Sequence, residues 1–200
     1  MEKKRQYKLK KRAEAQEATR HKIVEAAVEL HQEIGPRATT ISAIAKRAGV
    51  QRLTVYRHFP DETAVFQACT AKWLQEHPLP EPASWEPLQE PRERLSAALK
   101  SLYDYYSETC DMWQAASRDE NDVPALKEPM NAVRQYLDSI AEDLSGSFAA
   151  DDKAARLIKV TIRHAISFST WQSLQELGLK ETAKLKLVLR WLKGLALLSG

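Results

Sequence analysis

The chain has 200 residues, 44% hydrophobic and 28% charged, enough for one well-filled core or two small domains, and disorder throughout is excluded. No run approaches the ~18 uninterrupted apolar residues of a membrane span, and the opening MEKKRQYKLKKR has no apolar stretch behind it, so a cytoplasmic protein without a membrane partner is expected. Cys69 and Cys110 form no Cys-x-x-Cys or Cys/His spacing, and no glycine-rich phosphate loop occurs; no disulfide framework, metal or cofactor is expected.

Charge divides by region. Residues 1–77 carry 15 Lys/Arg against 9 Asp/Glu, net +6, and residues 78–200 carry 15 against 18, net −3. Seven of the first twelve residues are Lys or Arg against one Glu, a self-repelling block that is either a solvated tail or an arm drawn to a polyanion. Residues 1–18 are read as this basic arm.

The pattern is helical almost throughout. From Thr19, a candidate N-cap, Ile23, Ala26, Ala27, Leu30 and Ile34 recur at helical spacing until Gly35-Pro36 ends the run. Thr40 precedes a short helix with Ile41, Ile44, Ala45 and Ala48 on its apolar side, stopped at Gly49. A second short helix carries Leu53, Val55, Tyr56 and Phe59 to Pro60, and a fourth runs from Asp61 to about His77. Four prolines between His77 and Pro87 mark a connection, dividing 19–77 from 78–200. Beyond it, Pro91 suits the start of a fifth helix through Tyr106, and Met112–Arg118 forms a sixth. Asp119-Glu120-Asn121-Asp122 reads as a turn, and Pro124 opens a seventh helix to Leu144, bent or truly begun at Pro129. Residues 152–177 and 180–198 read as two long helices, about nine in all.

Those last two helices are apolar on more than one face, with Leu157, Val160, Phe168, Trp171, Leu185, Val188, Trp191 and Leu198 among the positions. A helix apolar all round is buried all round, and so short a chain offers no second cover. A homodimer through residues 152–198, pairing two copies into a four-helix interface, is expected, with a central helix buried in a monomer as the alternative.

Thr40 to Phe59 carries the chemistry. Two short helices joined around Gly49, with Ala45 at the close approach and Ile44, Val50 and Val55 inward, fit a helix-turn-helix. The outward side of the second helix would then offer Gln51, Arg52, Thr54, Arg57 and His58, groups suited to phosphates and base edges in a major groove. A three-helix bundle that only packs would show similar spacing.

The string Thr40-Ile41-Ser42-Ala43-Ile44-Ala45-Lys46-Arg47-Ala48-Gly49-Val50, followed by Thr54-Val55-Tyr56-Arg57-His58-Phe59, resembles the amino-terminal signature of the tetracycline-repressor (TetR) family of transcriptional regulators. The Tyr-x-His-Phe ending is its most specific part. The resemblance implies an all-α fold: a three-helix DNA-binding domain with a connecting fourth helix, followed by a helical ligand-binding and dimerisation domain. It implies DNA contacts at Thr40, Ser42, Gln51, Arg52, Leu53, Thr54, Tyr56, Arg57 and His58, with the hydroxyl of Tyr56 and the imidazole of His58 on phosphates. Arg52 and Arg57 are the candidates for base reading, since a guanidinium bonds O6 and N7 of guanine together. Three positions depart from the family: Gln51 replaces a frequent serine, Leu53 a small residue, and Glu62 a phosphate-binding lysine. These departures bear on which operator is read.

The implied function is a ligand-responsive repressor, binding a palindromic operator as a homodimer and released by a small molecule, with the fourth helix as lever. Tyr103, Tyr106, Met112, Trp113, His164, Phe168 and Trp171 are the candidate effector contacts and suggest an apolar or aromatic ligand; each is otherwise ordinary core, His164 as a satisfied imidazole. No catalytic motif such as HExxH or GxSxG stands in supporting context, so an enzyme is not expected. The alternative is an architectural DNA-binding protein that touches phosphates alone.

Overall fold

The computed structural model describes residues 2–148 and 152–197, with side chains described for 6–148 and 154–191. Among them are ten α-helices, two short 3₁₀ turns and no strand: α1 (Glu2–Ile34), α2 (Ile41–Arg47), α3 (Arg52–His58), α4 (Glu62–Glu76), α5 (Pro91–Glu108), α6 (Cys110–Asp119), α7 (Lys127–Gly146), α8 (Asp152–Ala165), α9 (Phe168–Glu176) and α10 (Glu181–Leu197). No helix among the described residues is long and apolar enough to cross a membrane. The chain forms two compact units, one of residues 1–78 with 114–129 and one of 79–113 with 130–200.

In the first unit, α1 packs on α2, α3 and α4. Ile23, Ala26, Ala27 and Leu30 of α1 are buried with Ile41, Ile44 and Ala45 of α2, Val55 of α3, Phe59, and Val65, Phe66, Cys69 and Trp73 of α4. Asp61 caps α4 by accepting from the Ala64 N–H at 2.8 Å. Contrary to the expected start at Thr19, α1 is continuous from Glu2, and the Thr19 hydroxyl donates to the Ala15 carbonyl at 2.8 Å instead of capping. A mid-helix threonine is tolerated when its hydroxyl bonds back one turn. The preceding Ala13, Glu14, Ala15, Gln16, Glu17 and Ala18 are strong helix formers, and the packed part of α1 supplies the costly nucleus.

Residues 114–129 fasten this unit. Asp119, expected in a turn, is the last residue of α6 and its side chain is 4% exposed. Its carboxylate accepts the Arg37 backbone N–H at 3.0 Å and the Arg118 guanidinium at 2.8 Å, while Arg118 donates to the Ile34 carbonyl and Arg37 pairs with Asp122 at 2.8 Å. The Arg118 hydrogen bond, helped by the Arg37 N–H, holds the Asp119 carboxyl below the usual carboxylate range.

His31 is buried beside Cys69, Nδ1 to Sγ 3.3 Å, and against the Phe66 ring. Burial pulls its pKa down to about 4, partly opposed by Asp119, and pushes the Cys69 thiol up to about 12. Between about pH 6.5 and 4 the unfolded chain therefore binds a proton that the folded chain refuses. Folding stability is expected to fall as pH drops through that window, by up to about 3 kcal/mol, and this contribution levels below it. Urea unfolding at stepped pH measures the slope; a His31→Gln variant should flatten it.

The second unit is built on α5, whose Leu95, Ala98, Leu99, Leu102, Tyr103 and Tyr106 are buried, with α8, α9 and α10. Arg94 of α5 pairs with Asp143 of α7 at 2.7 Å, and Arg163 of α8 with Asp138 of α7 at 2.6 Å. Pro124 opens a 3₁₀ turn, not the seventh helix, and Pro129 sits in the first turn of α7, where its missing N–H costs nothing. The single helix expected over 152–177 is two, which brings the α-helices to ten. Ser167 interrupts it, accepting the Thr170 N–H as N-cap of α9. The carbonyls freed at the end of α8 are satisfied from α5: the Tyr103 hydroxyl donates to Ala165 O at 2.8 Å and the Tyr106 hydroxyl to Ile166 O at 2.9 Å.

On α10, Lys184 and Val188 face inward, fully buried. The Lys184 ammonium lies 4.9 Å from the Trp171 ring centroid and donates to Gln175 and Glu181 at 2.5 Å each. Leu185, Leu187, Leu189 and Trp191 stay half-exposed, and Leu157 and Val160 of α8 are exposed. The side chains of Leu192, Leu195 and Leu197 and the whole of Leu198, also expected on this face, lie outside the described residues.

Candidate nucleic-acid interface

The geometry of α2 and α3 follows from four residues. Thr40 is extended and its hydroxyl accepts the Ala43 N–H at 3.2 Å, starting α2. Gly49 takes a positive φ of 67°, which lets the chain reverse in the four residues 48–51 before α3. Val55, fully buried, pins the inner side of α3, and Phe59 closes it, buried under the Arg20 guanidinium at 4.9 Å.

With Val55 fixed inward, helical periodicity turns its neighbours out. Thr40, Ser42, Gln51, Arg52, Leu53, Tyr56 and Arg57 are exposed; Thr54 and His58 are half-buried. Leu53 is 67% exposed, an unusual state for a leucine on a packed helix. Together these nine residues present two guanidinium groups, an imidazole, three aliphatic hydroxyls, a phenol, an amide and one exposed aliphatic side chain on consecutive short helices. No carboxylate competes with them, as neither α2 nor α3 contains an Asp or Glu. Such a set can bond phosphate oxygens and base edges and touch a thymine methyl.

Arg47, at the end of α2, takes a different part. Its guanidinium binds Glu33 at 2.7 Å and Glu29 at 3.0 Å on α1 and so braces the two helices. Glu62 is exposed in the first turn of α4.

The candidate effector contacts separate. Tyr106, Trp113, Phe168 and Trp171 form a closed ring cluster, with centroids 5.4 Å apart for Tyr106–Phe168, 5.6 Å for Tyr106–Trp113 and 5.7 Å for Trp113–Phe168 and Phe168–Trp171. Tyr103 and Tyr106 use their hydroxyls on the Ala165 and Ile166 carbonyls at the end of α8, and Met112 is half-buried. His164 is exposed, not a core imidazole; it stands 3.3 Å from the Thr170 hydroxyl and stacks at 6.4 Å on Trp191. The buried Lys184 above Trp171 has no signal in the sequence, where a lysine on a helix reads as surface.

Residues 23–69 match the family model described as bacterial regulatory proteins, tetR family. The chain is 43% identical over 67 residues to the HTH-type transcriptional regulator SrpR of Pseudomonas putida, across 34% of this chain and 30% of that protein. It has the same identity, over 67 residues, to the uncharacterized HTH-type transcriptional regulator TtgW, also of Pseudomonas putida, across 34% of this chain and 48% of that one. The matches thus span less than half the length of these curated relatives. In fold, the chain is similar to a TetR-like transcriptional regulator from Rhodococcus sp. RHA1, with a TM-score of 0.66, 19% identity and coverage of 89% of this chain and 96% of that one. It is also similar to NalD, the secondary repressor of the MexAB-OprM multidrug efflux pump in Pseudomonas aeruginosa, with a TM-score of 0.55, 20% identity and coverage of 89% and 95%.

Proposed function

We propose that the chain, whose residues 23–69 match the tetR family of bacterial regulatory proteins, is a ligand-responsive transcriptional repressor that binds a palindromic operator as a homodimer. The observation that carries this reading is the acid-free surface of α2 and α3, with Arg52 and Arg57 exposed around an α3 pinned by buried Val55. Thr40, Ser42, Tyr56 and His58 position the unit on phosphates; Arg52 and Arg57 read bases, and Leu53 meets a methyl group.

Two copies place two α3 helices in successive major grooves, roughly 34–36 Å apart, which requires a two-fold interface. The exposed Leu157 and Val160, with the half-exposed apolar side of α10, support one. Leu157→Glu with Val160→Glu is expected to convert a dimer to a monomer in sedimentation velocity and to abolish operator binding. A wild-type monomer would end the two-fold reading.

An apolar or aromatic effector would enter the second unit at the ring cluster of Tyr106, Trp113, Phe168 and Trp171, and Tyr103, Met112 and His164 complete the candidate set. Such a ligand must part packed rings, so it shifts the protein only if it prefers the state that does not bind DNA. The fourth helix is the candidate lever, and α6, whose last residue Asp119 accepts the Arg37 N–H beside the α1–α2 connection, is a second.

The test is fluorescence anisotropy on labelled duplexes tiled from the DNA flanking the protein's own coding region, with scrambled competitor and an Arg52→Ala control. Binding to one palindromic tile at least about a thousandfold over scramble, lost in the control, supports a specific reader. Weak, equal binding to every tile and to genome-selected fragments would replace it with an architectural DNA-binding protein.

A further inference from the structure

The segment of α1 before Thr19 has no role in the operator reading, yet it is helical from Glu2 and exposed from Gln6 to Ala18. At 1.5 Å per residue it prolongs α1 by roughly 26 Å. Its direction is set by the helix itself. Five turns of α-helix take eighteen residues, so Lys8 lies in line with buried Ala26, Lys11 with Glu29, and Arg12 with buried Leu30. Glu29 is the residue that grips Arg47 of α2. Lys8, Lys11 and Arg12 therefore continue the side of α1 on which the helix-turn-helix sits, and Arg20, where the overhang meets the body, lies over Phe59 at the end of α3. Glu14 and Glu17 fall away from that side, Glu14 facing Lys10 at 3.9 Å.

We propose that this extension is a rigid basic outrigger that binds the phosphate backbone of the DNA flanking each operator half-site. Seven cations against one carboxylate in the first twelve residues exclude a second copy of the same helix as partner, because the two would repel. A helix prolonged from the packed body places its charges without the ordering cost of a flexible tail.

The proposal rests on the operator reading, and its test separates the two. The full-length chain and a Lys8→Gln, Lys11→Gln, Arg12→Gln variant are titrated with two duplexes over a series of salt concentrations: one trimmed to the half-sites and one carrying about 10 further base pairs on each side, which exceeds the reach of the helix at about 3.4 Å per step. On the flanked duplex, the salt slope of the variant is expected to be shallower by about 0.9 for each phosphate no longer neutralised, about 2.7 per extension, with affinity near physiological salt reduced on the order of a hundredfold. On the trimmed duplex the two proteins should bind alike. A charge-retaining Lys8→Arg, Lys11→Arg, Arg12→Lys variant should behave as the parent. Unchanged helicity and urea midpoint keep the comparison valid, since the three side chains are exposed and bury nothing.

Equal affinity and slope for parent and glutamine variant on the flanked duplex overturn the proposal. So does an equal loss on both duplexes, which would place the contact inside the operator, and so does loss of binding to phosphatidylserine vesicles alone, which would make the partner a membrane surface. Failure of the operator reading would show differently: no preference of either protein for the palindrome over scramble, whatever the slope.

Discussion

An Asp119→Ala variant is expected to lose about 1–3 kcal/mol of stability in the DNA-binding unit, the cost typical of removing a buried hydrogen-bond acceptor whose cationic partners reach solvent. The Arg37 N–H would lose the acceptor it meets at 3.0 Å, and the Arg118 guanidinium would keep only the Ile34 carbonyl and solvent. Asp119→Asn should recover part of the loss, because an amide oxygen still accepts the Arg37 N–H while the charge is gone. The same lock predicts that Gly35→Ala is costly. Gly35 holds a φ of +88°, and a methyl group there would overlap the Arg118 guanidinium and stand 2.5 Å from Asp119 Oδ2. Urea unfolding followed through Trp73, buried in α4, reports this unit. Because the carboxyl is held below its ordinary range, the stabilisation is present above the unfolded-state pKa and disappears as pH falls through the lower folded value. In wild type, acid thus removes two supports in turn, first neutral His31 and then ionised Asp119. An Asp119→Ala midpoint within about 0.5 kcal/mol of wild type would mean that the lock stabilises nothing.

How far each part was legible depends on the range of its determinants. The helix-turn-helix could be read because its instructions are local: Thr40 caps, Gly49 turns with positive φ, Val55 points in, and every exposed partner follows by periodicity. The break between α8 and α9 had a local signal too, Ser167 before Phe168, but the apolar pattern ran through it and the tyrosines that satisfy the freed carbonyls come from about sixty residues away. Asp119 looked like turn chemistry because the groups it binds and abuts, Arg37 and the Gly35 turn, lie more than eighty residues upstream. Lys184 was invisible for a different reason. Its stem and ammonium are covered by Trp171, Gln175 and Glu181, a site assembled only when α9 and α10 pack. Continuity of α1 through Thr19 was obscured by a residue whose capping and mid-helix uses have the same sequence.

The largest effect on function is expected from Arg52→Ala with Arg57→Ala. Both side chains are exposed on α3, and the core residue between them, Val55, is untouched, so folding should be unaffected. Each guanidinium that bonds a guanine bidentately contributes about 1–3 kcal/mol of discrimination, so the double variant is expected to lose specific binding by roughly 10²- to 10⁴-fold. Binding to scrambled DNA should fall much less. That contrast separates base reading from phosphate contact: the operator-to-scramble ratio collapses here, whereas neutralising Lys8, Lys11 and Arg12 lowers affinity for every flanked duplex and leaves the ratio intact. Competition titrations of single and double variants against both duplexes measure the ratio directly. If one single variant keeps full discrimination, that arginine is a phosphate contact, and its partner alone reads the operator. If the double variant keeps it, base reading lies with Gln51, Leu53 and Thr54, the other groups at the start of α3.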